Sequence, residues 1–322
     1  MKVKEIRLNN FKRFSNLTIT GIPEQNKLVV IVGPNGSGKS SLFDALYHYY
    51  RERAGWGWQG DYSYFSKNPL LGFDNHNAVK IDFHDYSDIH YLPKNSLYFR
   101  SAYRHEPDFQ INHFSRMNQP FENLRFGRSI DADQTVSENY QRLVQQTVQS
   151  LYSEINNRRT VEDLRDELIG NIRNSFSNIF PDLTLRNIVD PLADNCFTFQ
   201  KGNVENYPYK NLSAGEKAVF DLILDLHVKI GAYNNTIFMI DEPELHIHTS
   251  LQAKLLEELY KIIPESSQLW VNTHSLGVMQ KAKEISIQNP NTVNFIDFHI
   301  NDFDEDTILY PAPIDKIVMW FR

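Results

Sequence analysis

The chain has 322 residues, 41% of them hydrophobic and 23% charged, the composition of an ordinary soluble globular protein with room for one large domain or two. A net charge of −7 excludes a surface that is basic throughout, while leaving room for a local basic patch. The single cysteine, Cys196, excludes a disulfide framework or a cysteine-held metal cluster. Met1 to Phe11 sets Val3, Ile6 and Leu8 against Lys2, Lys4 and Arg7, which predicts a first strand and lacks the apolar core of a signal peptide. No apolar run approaches the ~20 residues of a membrane span, so a cytosolic protein without a membrane partner is the default expectation. Leu28–Val32 is short and wholly apolar, as in a buried parallel strand. Ser40 to about Arg53 reads as a helix, with Leu42, Phe43, Ala45, Leu46 and Tyr49 at helical spacing.

Residues 54–77, rich in Gly, Tyr, Trp and Asn, predict a loop, with Trp56-Gly57-Trp58 packed on its own domain in preference to a base-stacking platform. Val79–Phe83 and Ser96–Ala102 read as strands. Residues 103–133 are polar and irregular. Arg100, Arg104, Arg116, Arg125 and Arg128 form either a strip facing DNA or a partner, or dispersed surface charges. The period then changes. Val136, Tyr140, Val144, Val148, Leu151 and Ile155 mark one helix face; Val161, Leu164, Leu168, Ile172 and Phe176 mark a second, capped by Thr160. Joined by Asn156–Arg159, they predict a helical insert over 131–182, between a lobe at 1–130 and a lobe at 183–322, with no linker separating two domains. Strand-like runs return from Leu183. Asp304-Glu305-Asp306, between Val293–Phe298 and Ile308–Tyr310, reads as an acidic hairpin turn.

Gly33 to Ser40, GPNGSGKS, fits the phosphate-loop pattern G-x-x-x-x-G-K-[ST] at every fixed position, between the apolar strand and the helix that the pattern requires. The glycines let successive N–H groups turn inward on phosphate oxygens. Lys39 can reach the β and γ phosphates, and the Ser40 hydroxyl can ligate Mg²⁺. Gly33, Asn35, Gly36, Ser37, Gly38, Lys39, Ser40 and Ser41 are therefore the candidate nucleotide-binding residues.

Three further motifs follow in order. Asn211-Leu212-Ser213-Ala214-Gly215-Glu216-Lys217 opens a helix marked by Ala218, Phe220, Leu222, Ile223 and Leu226. Thr236–Pro243 is an apolar strand ending in Asp241 and Glu242. Asn272-Thr273-His274-Ser275 follows the strand-like Gln268–Val271. With these motifs, at spacings of 28 residues from Ser213 to Asp241 and 33 from Asp241 to His274, the chain resembles the ABC-type ATPase heads. LSAGE resembles their signature LSGGQ, with Ala214 for the second glycine and Glu216 for the glutamine. IDEP resembles their Walker B strand with its catalytic glutamate, and THS their switch histidine. Asp241–His248, DEPELHIH, is similar to the OLD-like ATPases and to retron- and Septu-type defence ATPases, although Thr249 stands where a proline is usual. Leu8–Phe14 resembles the start of the SMC, RecF and OLD heads, where such residues lie near the nucleotide, which adds Arg13 to the site. The Q-loop glutamine has no clear counterpart, Gln110 being a weak candidate. The chain stops near Trp320, about where OLD proteins continue into a Toprim nuclease domain.

The resemblance implies an α/β fold: an ABC-type head, a P-loop NTPase, with an N-terminal antiparallel β region and the helical insert. It implies ATP and Mg²⁺ as ligands, with Ser40 and Asp241 on the metal. Glu242 would orient and deprotonate the attacking water, and His274 would contact the γ-phosphate. The competing readings are a solvated strand-end acid for Glu242 and a helix cap for His274. Ser213, Ala214, Gly215 and Glu216 would serve the nucleotide of a second copy, giving a homodimer around two sandwiched ATPs. An effector in trans, a nuclease or another toxin, follows from the defence resemblance, and nucleic acid is left open as a partner. The alternatives are a RecF- or SMC-like head acting on DNA and a transporter ATPase subunit. His246 and His248 lack a third ligand nearby, so they read as part of a loop that communicates between heads and not as metal ligands.

Overall fold

The computed structural model describes residues 1–57, 61–85, 90–109, 111, 115–154, 158–188, 197–299, 302–313 and 317. Trp58, Gln110, Ile155, Asn156, Asn157, Cys196 and Trp320 lie outside the described residues.

The alternating N-terminus forms β1 (Val3–Phe11), which pairs antiparallel with β2 (Phe14–Ile19). A bulge between Val3 and Glu5 shifts the register, which is why the buried positions run Val3, Ile6, Leu8 instead of every second residue. The apolar run is β3 (Leu28–Val32), buried at every position, and the phosphate loop leads from it into α1 (Lys39–Arg53). Among its described residues the predicted loop at 54–77 contains a short α-helix, α2 (Tyr62–Phe65), which Asp61 caps, and a single 3-10 turn at Pro69–Leu71, which Asn68 caps. There follow β4 (Val79–Phe83), β5 (Leu97–Arg100), α3 (Asn139–Leu151) and α4 (Val161–Ile179). Thr160 does cap α4, in a reciprocal box with Asp163. The remaining elements are β6 (Leu183–Ile188), β7 (Phe197–Lys201), β8 (Val204–Pro208), α5 (Ala214–Lys229), β9 (Ile237–Asp241), α6 (Thr249–Ile262), β10 (Gln268–Thr273), α7 (Leu276–Gln288), β11 (Val293–Asp297) and β12 (Asp306–Leu309).

These strands make three sheets, ordered β12-β2-β1-β4, β11-β3-β10-β9-β5 and β6-β7-β8. The five-stranded sheet is parallel throughout and divides the core. Because side chains alternate across a strand, Val29 and Ile31 of β3 join one cluster with α1 and the N-terminal sheet, including Phe14, Phe43 and Trp270. Leu28, Val30 and Val32 join the other, which holds α3, α4, α5 and the β6-β7-β8 sheet through Tyr140, Ile172, Phe176, Phe199 and Phe220. The helices α1 and α5 therefore lie on opposite faces of the parallel sheet.

Two expectations are corrected. The acidic segment 304–306 is not a hairpin turn: β11 joins the parallel sheet and β12 pairs with β2 in the N-terminal sheet, so the chain crosses between sheets there. Asp304 pairs with Lys67 at 2.5 Å. Nor do the arginines form one exposed strip. Arg125 spans Asp133 and Asp225, each at 2.5 Å. Arg100 adds a bond to Asp133 at 2.8 Å and Lys229 one to Asp225 at 2.5 Å. Burial acts to raise both carboxyls, and Arg125, helped by Arg100 and Lys229, overcomes it and holds both below their ordinary values. Of the five, Arg116 is exposed.

Candidate active site

The parallel sheet sets the site. Register pairing of Val32 with Thr273, and of Asn272 with Asp241, brings the carboxyl ends of β3, β10 and β9 side by side. In an open parallel sheet this edge is where ligands bind, facing helix N-termini. The phosphate loop, Asp241–Glu242 and Thr273–His274 are thus neighbours, although 241 residues separate Gly33 from His274.

The loop turns through left-handed positions at Gly36 (φ 77°) and Gly38 (φ 104°). A side chain at Gly38 would meet the Phe14 ring at 3.0 Å and Arg13 Cγ at 3.2 Å, so this position requires glycine for space as well as for φ. The same contact places Arg13, which is exposed, against the loop. Lys39 Nζ donates to the Gly33 and Pro34 carbonyls at 2.8 and 3.0 Å. Burial pulls its ammonium below the usual value, opposed by Glu242, Asp241 and Glu244. Three acids therefore face one lysine.

Asp241 is buried and accepts from Asn272 Nδ2 at 3.1 Å. Burial pushes its carboxyl up to about 6, against the hydrogen bonds from Asn272 and Ser40. Glu242 stands one residue on, in the left-handed region at φ 44°, with Oε1 3.5 Å from His274 Nδ1. His274 is not the cap of α7; that is Ser275, whose side chain accepts from Val278 N. Sequence reasoning gave no role to Glu244 or Gln252. Glu244, buried, accepts from Thr273 Oγ1 at 2.5 Å and from His274 N at 3.3 Å. Gln252 Nε2 donates to the Ile247 carbonyl at 3.0 Å, and its Oε1 accepts from Ser275 Oγ. The acidic DEPE pattern was the available signal for Glu244; none marked Gln252. The site residues fit a triphosphate chain with magnesium. The space over Gly36 is open, Ser40 and Asp241 supply hard oxygen donors, and the Ser37 hydroxyl and Asn272 Oδ1 are buried without partners.

The signature residues cap α5. Ser213 Oγ accepts from Glu216 N at 3.3 Å, and Glu216 accepts from Ser213 N at 2.8 Å and from Lys201 Nζ at 2.7 Å. The Glu216 carboxylate is thus engaged within its own chain, whereas Ser213 and Ala214 are exposed. Gly215 abuts the backbone of His246, itself at φ 66°. His248 caps α6 by accepting from Ser250 N, and among the described residues no three His, Cys, Asp or Glu side chains gather as a metal site. No described helix is long and apolar enough to cross a membrane.

This architecture, a parallel sheet carrying a phosphate loop, with an acid pair and a histidine at its carboxyl edge, is that of a P-loop ATPase head. The chain belongs to the RecF/RecN/SMC N-terminal domain family, whose model matches residues 2–292. Over 47 residues it is 49% identical to a DNA double-strand break repair Rad50 ATPase of Methanocaldococcus jannaschii, a stretch covering 15% of this chain and 4% of that protein. Among solved structures it is similar to an SMC head bound to the C-terminal winged-helix domain of ScpA, with a TM-score of 0.54 at 12% identity over 99% of this chain and 100% of that one. The SMC head of Thermotoga maritima gives a TM-score of 0.43 at 16% identity, over 97% and 99% of the two chains.

Proposed function

We propose that this chain binds and hydrolyses ATP with Mg²⁺, pairs head to head with a second copy around two nucleotides, and uses the cycle to switch a partner. The observation supporting this most is the convergence of Lys39, Ser40, Asp241, Glu242 and His274 on one sheet edge while the exposed tip of α5 belongs to the opposite face. Lys39 and the loop amides would hold the β and γ phosphates. Ser40 and Asp241 would hold magnesium, which when bound neutralises phosphate charge. Glu242 Oε1 takes the proton of the attacking water, and His274, within 3.5 Å of that oxygen, orients it. Ser213, Ala214 and Gly215 serve the second copy's nucleotide. Charge-assisted hydrogen bonds to phosphate contribute about 1.5–3 kcal/mol each, so a few make pairing depend on ATP.

The test is Glu242→Gln. It keeps ATP binding, loses turnover, and accumulates as a dimer in light scattering with ATP and Mg²⁺. Unchanged turnover would remove Glu242 as the base. The cytosolic switched partner is a nuclease or toxin in anti-phage defence if the DEPELHIH resemblance governs. The family match and the Rad50-like stretch favour a second reading, a head acting on DNA in repair or maintenance. ATP-dependent DNA binding with a steep salt slope supports the latter; its absence, with a nuclease gene adjacent, supports the former.

A further inference from the structure

The segment that leaves β5 runs beside the acid pair, because β5 pairs parallel with β9 and sets Arg100 opposite Ile240. Four residues on, Arg104 turns its guanidinium onto three consecutive main-chain carbonyls. Nη2 donates to Glu242 O at 2.9 Å and to Asp241 O at 3.4 Å, and Nη1 to Pro243 O at 3.4 Å. These carbonyls belong to the bend in which Glu242 adopts φ 44°, a conformation an L-residue avoids unless its surroundings hold it there. Main-chain bonds from Glu242 N to Asn272 O at 3.0 Å and from Leu245 N to Glu242 O at 3.1 Å also tie the bend, beside the side-chain contacts of Asp241 with Asn272 and of Glu242 with His274. Glu244, Asp241 and Asp221 are the acids that face the guanidinium, and Arg104 Nε is buried without a partner. A planar fork can reach several carbonyls at once; an ammonium presents a single point of charge.

We propose that Arg104 is a positioning residue for hydrolysis, locking the Asp241–Pro243 bend so that the Glu242 carboxylate stays at His274. The segment after β5 is then the element whose displacement misaligns Glu242. This rests on Glu242 being the base, as argued above. The structure gives Glu242 two ways to be correct, through its own side chain and through its main chain, and Arg104 controls only the second. Misplacement by about 1 Å costs on the order of 10²-fold in rate.

The experiment compares wild type, Glu242→Gln, Arg104→Lys, Arg104→Ala and Lys39→Ala by steady-state ATPase, fluorescent-ATP binding and thermal unfolding. The expected result is that Arg104→Lys and Arg104→Ala lower kcat on the order of 10²-fold with KM and nucleotide affinity held. Methylguanidinium restores part of kcat to Arg104→Ala and none to Lys39→Ala. Adding Arg104→Ala to Glu242→Gln costs nothing further. Full kcat in Arg104→Lys, a matched rise in KM, additivity with Glu242→Gln, or an Arg104→Ala chain that melts early without chemical rescue would each overturn the proposal. A wild-type chain whose turnover does not depend on Glu242 overturns the base assignment as well, whereas intact Glu242 dependence with an unaffected Arg104→Lys overturns the Arg104 role alone.

Discussion

Gly215→Ala tests the contact that joins the signature helix to the Walker B segment. An added Cβ would lie 2.4 Å from His246 O, 3.3 Å from His246 C and 3.7 Å from Ile247 Cα. Relief requires the tip of α5 or the chain at His246 to move by nearly 1 Å. That chain is pinned: Ile247 N donates to Glu244 O at 3.0 Å, and Gln252 holds the Ile247 carbonyl. Overpacking costs about 1–3 kcal/mol, and backbone against backbone belongs at the upper end. Helix propensity alone would favour alanine by about 1 kcal/mol, leaving a net loss of about 2 kcal/mol. With an unfolding entropy near 2.1 cal/mol/K per residue, 322 residues convert this to a Tm lower by about 3 °C. Gly170→Ala is the control, because α4 leaves nothing within 4 Å of the added carbon. It should gain about 1 kcal/mol and raise Tm by about 1.5 °C. Scanning calorimetry and urea unfolding of both variants measure the difference. A Gly215→Ala chain as stable as Gly170→Ala would refute the steric reasoning.

Ser213→Arg should abolish turnover and ATP-dependent pairing while the monomer's affinity for nucleotide is held, because Ser213 is exposed at the tip of α5; equal loss of binding and turnover would assign Ser213 to its own chain's site. Asp221 is buried under Tyr209, whose hydroxyl donates to it at 2.9 and 3.0 Å, and burial pushes its carboxyl up from 3.8 to about 7. The fold therefore keeps a proton that the unfolded chain releases, so stability falls as pH rises from about 4 to about 7, by an upper limit of about 4 kcal/mol. Asp221→Asn should flatten the Tm profile across that window and melt above wild type at pH ~8; parallel profiles for the two chains would exclude Asp221 as the titrating group.

The elements legible in the sequence are those whose signal is local. The run Leu28–Val32, the glycines of the loop, the Thr160 cap and the helical period of α4 each specify their own backbone. What escaped depends on which strand lies beside which. A run such as Ile308–Tyr310 announces a strand but not its sheet, so β12 was expected to pair with β11 and instead pairs with β2. The arginines announce charge but not partners: Arg125 meets Asp225 across 100 residues and Arg104 meets Glu242 across 138. The order β9-β5 at the end of the parallel sheet sets Arg104 beside Glu242, and the packing of α5 on that sheet buries Asp225, the partner of Arg125. Exposed arginines on a negative chain would have been the ordinary outcome.

The same dependence on sheet order explains the one property of the site that no motif states by itself. Gly215 rests on His246, Gln252 holds Ile247 and Ser275, and Glu244 holds Thr273 and His274. The DEPELHIH segment therefore fills the space between the tip of α5 and the turn that carries His274. The bonds made by Gln252 and the one from Thr273 to Glu244 are buried, the one from His274 N is partly so, and buried polar groups left unpaired cost more than such bonds contribute when made. The tip of α5 and the histidine that faces Glu242 are thus joined through one run of packed and hydrogen-bonded groups.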